Sequence, residues 1–327
     1  MFVKYSFRIF TKYAFGVIII LEVSGLAVLT VTLNPCIDKT ITVERFQYGG
    51  LNRAERVSSA LAGKGINVSR VLEASGIEQT ATGFMGDCFE KTDINARFVR
   101  AAGSVRTNIK LFDAESHITT EINEKGFEVS EDKLSEFEIL YGELLNSCRI
   151  AVISGSMPKG VPSGFYARLI SAAHEKHIKT ILDCSGEPFA LGLEAIPYAV
   201  KPNICELEEY FGEELDSDDK IISAAQRLCA IGIRLAAVSM GSGGAVFCSG
   251  GEVIRVKPFE ADIKSTVGAG DSMVAAIAYC INSGFDLYHT ATLATAMGTL
   301  TATLEGTAFT SIAEAEKMRS RLICDIL

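Results

Sequence analysis

From residue 26 to 33 the chain is apolar at nearly every position, and the run stops at Asn34-Pro35. A short continuous apolar run bounded by a turn is the pattern of a strand buried on both faces. Beyond about residue 132, similar short runs alternate with longer segments whose apolar residues recur at helical spacing. The pattern predicts helices over 134–145, 165–174 and 272–279, with an acidic helix start at 206–209. It predicts strands over 150–153, 180–183, 198–201 and 235–240, the last turning back through Gly241 to Gly244 as a hairpin. Alternation of this kind implies right-handed crossovers and a mainly parallel sheet.

A different period holds in residues 40–45, 106–112 and 118–123, where apolar and polar positions alternate as in half-exposed strands. The last two segments predict a hairpin that stands apart from the main core. With the first they form a small β lid, and such lids exclude water from a site. Arg97 and Arg100, three positions apart, read as a solvated basic helix face. With no internal repeat and no linker-like stretch, the chain is one domain over 26–327, its lid formed by about 40–48 and 106–123.

Residues 1–25 stand outside this plan. Lys4, Arg8 and Lys12 precede an apolar run over 15–21, as in a signal peptide or an N-terminal anchor. The apolar span over 14–33 has membrane length, broken by Glu22. Its second half is needed as a core strand, and a core strand cannot also lie in lipid. A third reading places the true start near Leu26: Leu21-Glu22-Val23 can be encoded by codons containing GGAGG, a ribosome-binding sequence, and Leu26 by TTG. The N-terminus of the native protein decides among the three.

Composition narrows the function classes. At 327 residues, 48% of them hydrophobic and 22% charged, the chain can bury a large core and has no disordered tract. A net charge of −9 argues against nucleic acid as the main partner. Nine cysteines without a Cys-x-x-Cys pair read as free thiols in a reducing compartment, so the expected location is cytoplasmic. The four histidines lack zinc-ligand spacing.

Three stretches carry candidate chemistry. Gly268-Ala269-Gly270-Asp271 precedes a helix, and helix starts leave backbone N–H groups free to meet an anion. Asp271 would sit beside that anion as a base; the plainer reading is a tight turn with an Asp cap. The second stretch, 62–72, is a Gly-rich turn into a helix; it is not a Walker A loop, because Lys64 is followed by glycine. The third is Asp38, just beyond the first strand, where open α/β sheets collect ligands. Between Asp38 and Arg70 lie six basic and three acidic residues, and between Arg97 and Lys110 four basic and none acidic. That local excess in an acidic protein suggests an anionic small molecule, with Lys64 and Arg106 carrying most weight.

These motifs, in this order, resemble the ribokinase-like (PfkB) family of carbohydrate kinases from about Leu26 onward. Ala62-Gly63-Lys64-Gly65-Ile66-Asn67 and Gly268-Ala269-Gly270-Asp271 correspond to its two signatures. Thr30 to Asp38, Arg106 to Lys110, Ser154-Gly155-Ser156 and Lys201-Pro202-Asn203 are similar to its phosphosugar branch, the 1-phosphofructokinase and tagatose-6-phosphate kinase group. The resemblance implies a ribokinase-like three-layer α/β/α fold with a mainly parallel sheet and a β lid. It implies Asp271 as catalytic base and Gly268, Ala269 and Gly270 as an anion hole. Asp38, Gly63 and Asn67 would hold the sugar; Lys64 and Arg106, with Ser156, would hold its phosphate. Lys201, Asn203, Ser239, Gly241, Gly244 and Thr266 would line the ATP site, with Asn203 and Glu206 organising Mg²⁺, Glu206 through water.

The implied reaction is ATP-dependent phosphorylation of a hexose phosphate to a bisphosphate. Fructose 1-phosphate ranks first, with tagatose 6-phosphate and fructose 6-phosphate as alternatives. A non-catalytic sugar-phosphate sensor and a membrane-tethered protein are the rival classes. The partners expected are a sugar phosphate and ATP, no nucleic acid, no membrane, and a second copy joined through the lid. One departure concerns Ala62, where the family signature has glycine: a demand for positive φ there would cost about 1 kcal/mol.

Overall fold

A computed structural model describes residues 27–87, 93–305 and 308–327, and the 1–25 extension lies outside them. The chain opens with β1 (Val28–Thr32), β2 (Cys36–Val43), β3 (Arg56–Ala62) and helix α1 (Lys64–Ala74). There follow β4 (Gln79–Asp87), β5 (Ala96–Ser104), β6 (Arg106–Asp113), β7 (Ile118–Asn123) and α2 (Glu131–Leu144). The alternating part runs β8 (Ile150–Ser154), α3 (Phe165–Glu175), β9 (Lys179–Asp183), α4 (Gly186–Glu194), β10 (Ala199–Val200), α5 (Ile204–Phe211) and α6 (Asp218–Ala230). The chain ends with β11 (Leu235–Ser239), β12 (Ala245–Ser249), β13 (Glu252–Lys257), α7 (Ala269–Ser283), α8 (Leu287–Ala302), α9 (Ile312–Met318) and β14 (Ile323–Ile326).

A 10-stranded sheet has the order β14-β13-β12-β11-β10-β9-β8-β1-β4-β5. Its pairs from β5 to β11 are parallel, and β12, β13 and β14 add antiparallel strands at one side. Leu29 and Val31 face one core, shared with α2 to α6; Val28 faces the other, shared with α1, α7, α8 and α9. That two-sided burial explains why β1 carries apolar residues on both faces. The result is a three-layer α/β/α fold. No helix among the described residues is long and apolar enough to cross a membrane.

The strand order marks where a ligand is expected to bind. From β1 the sheet grows one way through β4 and β5, and the chain then returns to lay β8 on the other side of β1. Ligands in open α/β sheets bind outside the carboxyl ends of strands at such a switch point. Here Thr32 and Ser154 pair across it, and Asn34 donates from Nδ2 to Ser156 Oγ at 3.3 Å just beyond it.

A second sheet, β3-β2-β6-β7, forms the lid. Its strand β3 has no counterpart in the sequence reading, because Ser58, Ser59 and Ala60 blunt the alternation. Residues 44–48 lie beyond β2 and outside any strand. Arg97 and Arg100 belong to β5, an edge strand, and not to the helix face expected of them; Arg97 there donates to Glu143 at 3.3 Å. Their spacing of three suits a helix, but pairing with β4 decides the conformation.

Candidate active site

Helix α7 starts at Ala269, not at Ser272 where its apolar pattern begins. Gly268 takes the N-cap position with φ 76°. A Cβ there would lie 2.5 Å from Phe309 Cε1, so both dihedral and space require glycine. Asp271 is therefore part of the first helical turn and not its cap. The N–H of Ala269 turns back to the Thr266 carbonyl at 3.3 Å, a long bond; the N–H groups of Gly270 and Asp271 follow it on the open first turn.

Asp271 is 8% exposed, and Asn67 donates from Nδ2 to its Oδ2 at 2.7 Å. Asn67 is on α1, which packs against α7. Burial, and then the carboxylate of Asp183, raise the Asp271 pKa to about 6, against the Asn67 hydrogen bond and the charges of Lys64 and Lys201. A buried carboxylate poised near neutrality and held by one amide donor is suited to accept a proton.

Beside it lies a cluster of charges. Lys64 Nζ is 3.1 Å from Asp183 Oδ1 and 3.9 Å from Glu206 Oε1. Lys201 Nζ is 3.4 Å from the same Asp183 oxygen. Burial disfavours the Lys64 charge, but Asp183, Glu206 and Asp271 more than offset it and raise its pKa. Lys64 thus faces Asp183, Glu206 and Asp271, while Arg106 lies on β6 of the smaller sheet. Asn203 and Glu206 form a capping box at the start of α5: Asn203 Oδ1 accepts from the Glu206 N–H, and Glu206 Oε2 accepts from the Asn203 N–H. Ser239 bridges to Asn203, and Gly241 and Gly244 shape the turn between β11 and β12 next to them.

The lid supplies the other wall. Asp38 on β2 pairs in register with Asn108 on β6, and Asn108 donates to Asp38 Oδ1 at 3.2 Å. Lys110 Nζ is 3.6 Å from Asp38 Oδ2. Arg106 donates from one terminal nitrogen to Asn108 Oδ1 at 3.3 Å and from the other to the Asn34 carbonyl at 3.4 Å. Residues 106, 108 and 110 alternate along β6, so the three share one face with Asp38. Gly63, at φ 139°, caps α1, and a Cβ there would meet Thr32 Cγ2 at 2.7 Å. Ala62 is the last residue of β3, paired with Cys36, and its φ is not positive. The alanine is unstrained.

Buried polar atoms without a hydrogen-bond partner gather in this region: Thr32 Oγ1, Asn34 Oδ1, Asn67 Oδ1, Arg106 Nε, Ser154 Oγ and Asp183 Oδ2. Thr32, Ser154 and Asp183 are in-register neighbours at the ends of β1, β8 and β9. Since buried polar groups are normally bonded, such a concentration marks a place shaped for a polar ligand. Asp183, Asn34, Asn108 and Lys110 have no individual role in the sequence reading, although the last three lie within its motifs. The signal for Asp183 was available: it ends a parallel strand, the criterion that singled out Asp38.

Both the sequence and the fold have known relatives. The sequence matches the family described as "pfkB family carbohydrate kinase" over residues 31–314. A 1-phosphofructokinase of Xanthomonas campestris pv. campestris is 37% identical over 285 residues, 83% of this chain and 90% of that one. A solved structure described as a possible 1-phosphofructokinase, from Thermotoga maritima, has a TM-score of 0.84 at 26% identity, covering 92% of this chain and 99% of that one. The tetrameric inhibited form of phosphofructokinase-2 from Escherichia coli has a TM-score of 0.82 at 28% identity, covering 90% and 98%. The three-layer fold is shared with these solved structures, and the family match with the curated relative places the chain: it belongs to the pfkB family of carbohydrate kinases, phosphotransferases whose acceptor is an alcohol.

Proposed function

We propose that the chain transfers the γ-phosphoryl group of ATP to the 6-hydroxyl of fructose 1-phosphate, giving fructose 1,6-bisphosphate and ADP. One observation carries the acceptor: Arg106 and Lys110 sit on the lid face that holds Asp38, away from the cations around Asp271. Two separate cationic groups suit an acceptor that already bears a phosphate. The relatives named 1-phosphofructokinase support the choice of sugar.

Asp271 takes the hydroxyl proton as the oxygen attacks phosphorus in line with the departing ADP. Asn67 fixes the carboxylate through Nδ2 and keeps Oδ1 for a sugar hydroxyl. Lys64, Lys201 and the first turn of α7 hold the charge of the group in transfer. Glu206 keeps Oε1 outside its capping bond, and no cluster of three His, Cys, Asp or Glu among the described residues could cage a metal. These residues fit a hydrated Mg²⁺ carried by the nucleotide phosphates, which would neutralise phosphate charge when bound. A cytoplasmic location suits these substrates and the free cysteines.

A coupled ADP-release assay across fructose 1-phosphate, fructose 6-phosphate, tagatose 6-phosphate and fructose tests the assignment. The expected result is a kcat/KM for fructose 1-phosphate at least about tenfold above the others, a margin of ~1.4 kcal/mol, and loss of turnover on chelation with EDTA. A higher value for either 6-phosphate reassigns the substrate. Binding without ADP release would favour the sensor.

The pH dependence follows from Asp271. Below about 6 its carboxyl carries a proton and cannot take another, so the rate is lost as pH falls through that value. We expect kcat to drop roughly tenfold per pH unit on the acid side. Measuring kcat at saturating substrate removes the ionisation of the free sugar phosphate. A profile flat from pH 5 to 8 contradicts the assignment of the base.

The lid also bears on assembly. Its face away from Asp38 carries Ile41, Val57, Ile109, Leu111 and Ile122, with Val57 53% and Ile122 58% exposed. An apolar sheet face of this kind suits a second copy of the chain laid across it. Light scattering should give twice the 35.1 kDa chain mass, and Val57→Asp with Ile122→Asp should halve it. A wild-type monomer at micromolar concentration removes the idea.

A further inference from the structure

We infer that Asp183 is a positioning residue for phosphoryl transfer: from the end of β9 it anchors the ammonium groups of Lys64 and Lys201 against the first turn of α7. Three separate elements meet at this one carboxylate. Lys64 opens α1, Lys201 follows β10, and Asp183 closes β9. Both ammonium groups lie within ion-pair distance of the same oxygen, Oδ1, at 3.1 and 3.4 Å. The Asp183 side chain is 1% exposed and that of Lys201 is 6% exposed. A Cβ at Gly270 would meet Lys201 Nζ at 3.4 Å, so that ammonium rests on the helix turn where a transferred phosphoryl group would be held.

A lysine ammonium is a point charge on a flexible four-carbon stem, and two of them side by side repel. A carboxylate between them makes the arrangement possible and fixes both stems. Burial disfavours the Asp183 charge, yet Lys201 and Lys64 outweigh it and hold its pKa below the ordinary value. A buried carboxylate is retained at such a cost only when it is well paired. The anchor also keeps the lysines off the base. Both already act on Asp271 through space. Released from Asp183, they would swing toward Asp271 and hold it in an ion pair, where it accepts a proton poorly.

The inference rests on kinase chemistry and not on the choice of sugar. The assay uses the acceptor that the substrate panel ranks first, so a wrong sugar assignment leaves it standing. Asp183→Asn keeps shape and removes charge. The expected result is a kcat at least about 100-fold lower, with the KM for the sugar phosphate within about threefold of wild type. In a Lys201→Met background the same change should cost at least about tenfold less, because one of the two partners is already gone. An unchanged kcat overturns the inference, as does a matching rise in KM with a lowered Tm, an undiminished loss in the Lys201→Met background, or recovery of kcat at high Mg²⁺. Should Asp183→Asn fail to fold, Lys64→Met and Lys201→Met take its place. Each should lower kcat at unchanged sugar-phosphate KM, and their combined loss should fall short of the product of the single losses; a loss equal to that product overturns the idea.

Discussion

Asp271→Asn should lower kcat by about 10²–10⁴-fold, the usual weight of a general base, and leave sugar-phosphate affinity nearly unchanged. The substitution keeps volume and shape within a buried first turn. Asn67 presents an amide NH₂ to residue 271 at 2.7 Å, so the new side chain turns its carbonyl oxygen toward that donor. Its own NH₂ then faces the sugar hydroxyl, where an acceptor is required. Nothing remains to take the proton, and the acid limb near pH 6 should disappear with it. ADP release gives the turnover and calorimetry the affinity. A variant that keeps a tenth of wild-type kcat removes Asp271 from the chemistry.

Arg106→Ala should raise the KM for the phosphorylated sugar about 100-fold, the weight of two charge-assisted hydrogen bonds at ~1.5 kcal/mol each. Its present partners are long, 3.3 and 3.4 Å, and Nε has none, so the guanidinium fork is short of good acceptors. Two oxygens of a tetrahedral phosphate dianion can meet its planar fork and supply them. The KM for ATP should move less than about threefold, since Arg106 lies on the lid and not among the groups around Asp271. Unphosphorylated fructose is the control, and its poor turnover should not worsen. An equal rise in both KM values would place Arg106 outside the sugar-phosphate site.

Local signals made much of this legible in the sequence. Gly268 to Asp271 is informative because cap, turn and carboxylate are contiguous, and the mostly apolar stretch around β1 follows from burial on both faces. Lys64 could be singled out as a cation with work to do, but not its neighbours. Asp183 lies 119 positions away, and only the packing of α1 across the sheet joins them. Residue spacing misled at Arg97 and Arg100 because an edge strand can carry solvated arginines at any interval. Strand β3 was hidden for a related reason: its small and polar residues pair with β2 in a lid that has little core to face. The concern over Ala62 came from assuming a turn where the chain in fact continues a strand.

The bond between Asn67 and Asp271 joins residues 204 positions apart. At ~5–20 residues per second, roughly 10–40 s of synthesis separate their appearance. Throughout that interval Val68, Val71 and Leu72 of α1 lack the residues of α7, Val274 and Ile277 among them, that share their core. The growing chain therefore holds an apolar helix face covered only on its sheet side, and it lacks Asp271. With Asp271 as the proposed base, activity begins only when the C-terminal helices arrive.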